Sequence, residues 1–239
     1  MSKTISIRGH GSVGGGAYDK VSVYGNGTVN GDLKTAAAII RGHGVIEGNL
    51  IANRFSIAGS SIVNGNIDGE EIIAKGSFET KGSLTVKSAL LTGSVVLGPV
   101  RADQMKGRGN FKFRGNIECE EFFVKGVIQA QGLINAQDIT LELVGESFVA
   151  DIGGETITIK GIDHSGWFRK LFNRYKSPKE VRLKAEVIEG TTVDISNVEA
   201  KTVRSSTIRV GPHCRIDMVE YTESLQIDPT AEVRNKVKS

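Results

Sequence analysis

Val21-Ser-Val23-Tyr-Gly25-Asn-Gly27-Thr-Val29-Asn-Gly31-Asp-Leu33 alternates apolar and polar or glycine positions with a period of two. That is the signature of a strand buried on one face, and no helical face accommodates it. Working outward, the pattern returns at a fixed distance. One glycine series runs Gly9, Gly25, Gly42, Gly59, Gly76, Gly93, Gly109 and Gly126, in steps of 16 or 17. A second runs Gly15, Gly31, Gly48, Gly65, Gly82, then Gly98 or Pro99, then Gly115 and Gly132. Two residues beyond each member of the second series stands a small or branched apolar residue: Ala17, Leu33, Leu50, Ile67, Leu84, Val100, Ile117 and Ile134. These are expected to face one interior as a core ladder. A parallel column reads Ile7, Val23, Ile40, Ile57, Ala74, Leu91 and Val124, broken at Gly107, and another reads Ile5, Val21, Ala38, Phe55, Ile72, Ala89, Met105, Phe122 and Ile139.

Units of 16 or 17 residues are too short for a strand plus a helix. Each is therefore one coil of short strands joined at tight corners, where glycine reaches positive φ without a Cβ penalty. Coils stacked at about 4.8 Å pair in parallel and in register, so like side chains form ladders along the axis. The expected fold is all-β, a right-handed parallel β-helix. Right-handedness follows from a period that prefers 17 and slips to 16, where left-handed hexapeptide repeats hold a steady period of about 18. Roughly nine coils, from Ile5 to near Ile152, give a rod on the order of 43 Å.

The chain is expected to divide into a β-helix repeat domain (1–160), a basic aromatic insert (161–179), a second and shorter β-helical segment (180–234) and a basic tail (235–239). In the second segment alternation returns at Val181-Arg-Leu183-Lys-Ala185, at Val193 and Ile195, at Ile208 and Val210, and at Leu225 and Ile227. Three or four coils are expected there, poorer in glycine and richer in charge, either continuing the first stack or folding back on it. In the insert, Trp167, Phe168, Leu171, Phe172 and Tyr175 fall on one face of a short amphipathic helix, and Arg169, Lys170, Arg174 and Lys176 on the remainder. That composition suits an anionic membrane surface, a cap over an open core, or a partner protein.

Composition narrows the function. At 39% hydrophobic the 239 residues can build a real core, and 30 glycines against 6% aromatics fit a chain that turns often. Lys and Arg total 30 against 27 acids, a formal +3, too little to make nucleic acid the main partner. The opening MSKTISIRGHGSV has no apolar stretch of signal-peptide length and no segment approaches a membrane span. A cytoplasmic protein is expected, peripheral on the inner face of the cell membrane if the insert binds lipid. Cys119 and Cys214 form no metal spacing and are expected reduced, Cys119 as an inert buried thiol.

The run from Val21 to Val86, with VNGDL at Val29 to Leu33, IEGNL at Ile46 to Leu50 and VNGNI at Val63 to Ile67, resembles the bactofilins, bacterial polymer-forming cytoskeletal proteins. The likeness covers roughly residues 5 to 140. It implies a right-handed β-helix, nucleotide-independent assembly into filaments, and scaffolding of cell shape, envelope-enzyme localisation or motility. Two departures stand out. Typical members are shorter and carry a flexible N-terminal tail, whereas here the repeat begins by Ile5 and a second block follows Lys179.

A terminal β-helix coil has a ring of backbone groups with no neighbour, together with the cut end of the core, so uncapped ends adhere. The expected polymerisation face is the first coil, with Ile5, Ile7, Val13 and Ala17. Expected partners are a second copy of the chain, a paralogous subunit and an anionic membrane surface; no nucleic acid, small-molecule substrate, metal or cofactor is expected. The alternatives are a hexapeptide-like acyltransferase, which needs a general-base histidine, and a monomeric binding module. His10 and His43 lie between glycines at corners, and Glu70-Glu71 and Glu120-Glu121 share one coil phase, which fits solvated corners better than a catalytic pair.

Overall fold

The computed structural model describes residues 3–162 and 181–239. Within them the protein is an all-β parallel solenoid with coils of about 17 residues. It divides into two compact units, 1–120 and 121–239.

In the first unit, β1 (Thr4–Ile46) winds through the opening coils, and β2 (Leu50–Val63), β3 (Ile67–Thr80), β4 (Leu84–Leu97) and β5 (Val100–Phe113) add one coil each. They pair in parallel in chain order, with Leu33, Leu50, Ile67, Leu84 and Val100 directly in register. These five side chains are at most 3% exposed, and Ile117 and Ile134 are fully buried. Ala17, expected at the head of that ladder, is instead exposed. It sits at the edge of the described residues: Asp19, two residues on, pairs with Lys3, the first residue described.

The break at Gly107 has a steric explanation. Two inward columns face each other, one reading Ile40, Ile57, Ala74, Leu91, Gly107 and the other Gly44, Ser61, Phe78, Val95, Phe111. At four of the five levels a large side chain in one column meets a small one in the other, and at the fifth Leu91 meets the mid-sized Val95. A Cβ on Gly107 would stand 2.5 Å from the Phe111 ring, and one on Gly44 would stand 2.6 Å from the end of Ile40. The ring of Phe111 occupies the space that Gly107 leaves, which conserves volume within a coil.

All eight glycines of the first series have φ between +79° and +153°. From Gly25 to Gly109, a Cβ would in addition be driven into the carbonyl oxygen of the glycine one coil earlier. The second series differs from expectation: only Gly31 among its members has positive φ. Close approach of backbones is what demands glycine there, since a Cβ on Gly65 would meet the Gly48 carbonyl carbon at 2.7 Å. From Gly31 to Gly82 the residues that follow these glycines, Asp32, Asn49, Asn66 and Ser83, form a polar ladder. The Asn49 amide donates to Asp32 Oδ1 at 2.7 Å, the Asn66 amide to Asn49 Oδ1 at 2.8 Å, and the Ser83 amide to Asn66 Oδ1 at 2.9 Å. This is the physical content of the apolar-x-Gly-[Asp/Asn]-apolar motif: the side-chain oxygen satisfies a corner N–H of the next coil.

In the second unit, β6 (Ile117–Leu143) runs on from residue 121, followed by β7 (Ser147–Gly161), β8 (Leu183–Ile195), β9 (Val198–Val210), β10 (Arg215–Ile227) and β11 (Glu232–Lys238). Pairing is again parallel and in chain order. Ser147 pairs with Leu183, Ile152 with Ile188 and Ile157 with Val193, so the second block continues the stack of β7 and does not fold back. Corners without glycine are made by Asn197 and His213, at φ 59° and 58°. Residues 235–238, expected as a basic tail, belong to β11 and pair with Met218 to Tyr221. The helix expected within 161–179 falls on residues outside the described ones, apart from Gly161, which closes β7, and Ile162.

Candidate assembly surfaces

The opening coil of the first unit is where the solenoid repeat and its packing part company. Ile7 is 8% exposed, Ile5 and Val13 are half-buried and Ala17 is exposed. The residues above them in the same columns, Val21, Val23 and Leu33, are 1–3% exposed. The apolar pattern is thus in place one coil before the core closes. Polar contacts fix this coil at its rim. The Asp19 amide donates to the Lys3 carbonyl at 3.0 Å, the Tyr18 hydroxyl donates to the Gly14 carbonyl at 2.8 Å, and the Lys3 ammonium lies 4.5 Å from the Tyr18 ring centre. Among the described residues of the unit, no strand lies against the lower backbone edge of this coil.

The last coils of the second unit show the same weakening. Leu225 and Ile227 are half-buried where Ile208 and Val210, one coil below, are at most 1% exposed, and Val237 of β11 is 45% exposed. The flank of this unit is charge-zipped. One outward column reads Lys184, Glu199, Arg215, Glu232, alternating in sign by register. Beside it, ion pairs join Lys201 to Glu186 and Arg234 to Asp217, the latter at 2.8 Å. The hydrogen bond and charge of Glu186, helped by Asp217, hold the Lys201 ammonium above its ordinary range.

The residues weighed for chemistry are dispersed. His10 is exposed and within 3.0 Å of the Asn26 side-chain nitrogen, His43 is exposed, and His213 shapes a bend. Glu70 pairs with Lys87 at 3.2 Å and Glu71 with Arg54 at 3.0 Å, each in a different direction along the stack. Among the described residues no group of His, Cys, Asp and Glu could hold a metal ion. Cys119 is half-buried and its thiol is pushed up to about 12 by desolvation, against a lowering backbone hydrogen bond at Ala102. Cys214 is buried and pushed up to about 11, again chiefly by desolvation. Both thiols are protonated near neutral pH. The candidate lipid or partner contacts Trp167, Phe168, Arg169, Lys170, Leu171, Phe172, Arg174, Tyr175 and Lys176 lie outside the described residues. Among the described residues no helix is long and apolar enough to cross a membrane.

The described residues define a parallel β-solenoid, with an incompletely covered opening coil in the first unit and incompletely covered final coils in the second. No family model matches the chain, and no solved structure does. It is similar to two proteins of Bacillus subtilis (strain 168): the uncharacterized protein YhbF, 37% identical over 108 residues, and the uncharacterized protein YhbE, 34% identical over 108 residues. Each match covers 45% of this chain and only 42% and 43% of the two relatives, so the chain spans less than half the length of the curated relatives it matches.

Proposed function

We propose that this chain is a structural subunit that assembles end to end, without nucleotide, into filaments of the bactofilin kind. The observation that carries the reading is the opening coil, where Ile5, Val13 and Ala17 hold core positions of the repeat yet remain partly or fully open. A second copy stacked there extends the same ladders. Each buried backbone group that would otherwise lack a partner is worth roughly 1–3 kcal/mol when satisfied, and apolar burial adds about 25 cal/mol per Å². The partner is a second copy of the chain or a paralogous subunit, and the filament scaffolds cell shape, envelope-protein localisation or motility from the cytoplasmic side. None of this requires catalysis.

The test is a pair of substitutions on the open coil, Ile5→Asp and Val13→Asp, followed by high-speed sedimentation. Both side chains are already partly solvated, so circular dichroism should remain that of the parent while the pelleted fraction falls at least tenfold. Folded variants that pellet like the parent would remove the opening coil from the junction.

A further inference from the structure

We propose that the first unit carries a lateral docking stripe for an anionic lipid surface, running along its glycine corner and separate from the end coils. The residue before each first-series glycine points outward, and in β1 to β5 these residues stack in register as Arg41, Ala58, Lys75, Thr92 and Arg108. A cation stands on every second coil, about 10 Å apart at the strand spacing of a sheet. Arg8, before Gly9, holds the same phase below Tyr24, whose ring lies 5.7 Å from the Arg41 guanidinium.

This column differs from the other charged columns of the unit. Arg54, Lys87 and Arg101 each pair with a glutamate one coil away and Arg114 with Glu79 two coils away, at 2.6–3.2 Å. Arg41, Lys75 and Arg108 are exposed and have no carboxylate partner among the described residues. The column on one side reads His43, Ser60, Ser77, Ser94, Asn110 and the column on the other Ile39, Ser56, Ile73, Leu90, Lys106. No acid occurs in any of the three. Acids of the same coils, such as Asp68, Glu70 and Glu118, lie on the strand that follows the other corner.

The apolar neighbours select the partner. Two residues apart on one strand, Ile39 and Arg41 share a face, as do Ile73 with Lys75 and Leu90 with Thr92. Leu90 is 47% exposed. Cations beside outward aliphatic side chains match a bilayer interface, where phosphates meet the cations and the aliphatic groups reach the acyl boundary. A phosphate strand in water offers nothing to that second column.

The experiment uses the full chain and vesicles of phosphatidylcholine with 30 mol% phosphatidylglycerol, against pure phosphatidylcholine. The parent should sediment with the anionic vesicles only, and less so in high salt. The triple variant Arg41→Gln, Lys75→Gln, Arg108→Gln should lower partitioning about a hundredfold, and Leu90→Ser several-fold. A control of equal charge change, Arg54→Gln, Lys87→Gln, Arg101→Gln, should bind like the parent. Equal losses in both triple variants would reduce the effect to net charge and overturn the stripe. So would binding abolished by Trp167→Glu with Phe172→Glu and untouched by the triple variant, which assigns the contact to 161–179. Parent that ignores vesicles but binds a single-stranded oligonucleotide through the same cations would also overturn it. Pelleting without vesicles reports filament assembly separately, so failure of one proposal leaves the other standing.

Discussion

Gly76 shows how much one residue carries. Its φ of +125° belongs to a region that L side chains rarely adopt, and a Cβ there would be driven into the Gly59 carbonyl oxygen. Gly76→Ala is expected to cost at least about 2 kcal/mol, read as a lowered urea midpoint. Gly14→Ala, where nothing lies within 4 Å, should stay within about 0.5 kcal/mol. The two thiols make a pH prediction. Burial raises Cys119 to about 12 and Cys214 to about 11 from 9.0, so the folded state favours the protonated thiols. Their contribution is fully present below about pH 9. It is lost as pH rises through 11 and 12. Thermal midpoints should therefore fall above about pH 9 by more than in a Cys119→Ala, Cys214→Ala variant, and native thiols should alkylate slowly at pH 8. A slope identical in the two proteins would contradict this.

At the scale of the element, the strand period and the glycine spacing were legible because both follow from one-residue geometry: alternation decides which face is buried, and a crowded corner admits only glycine. Leu33, Leu50 and Ile67 could be aligned by counting, and the structure pairs them directly. Gly107 was not legible as part of the pattern, since its partner Phe111 sits in another column and the compensation works through volume across the coil interior. The same holds for Asn197 and His213, which take over positive-φ bends without glycine and so leave the second block looking irregular. The compensation is testable. In the neighbouring coil the equivalent pair is Leu91 and Val95. Gly107→Leu alone should overpack by about 1–3 kcal/mol and Phe111→Val alone should open a cavity, while the double variant should recover most of either loss. Additive losses would rule out the exchange of volume.

For the whole molecule, candidate assembly surfaces were legible in part. That the repeat begins by Ile5 could be counted; that Ile7 closes to 8% exposure while Ala17 lies open required coordinates, because burial in an end coil depends on what covers it from one side only. The basic stripe was hidden for a related reason. A formal charge of +3 averages over faces, and Arg41, Lys75 and Arg108 are 33 or 34 residues apart until the register aligns them. The central claim is that such coils adhere to one another. Negative-stain electron microscopy of the purified full chain in nucleotide-free buffer tests it most directly. Long unbranched filaments of one coil-stack width, absent from the Ile5→Asp, Val13→Asp variant, are the predicted result; isolated particles at every concentration up to the solubility limit would contradict it.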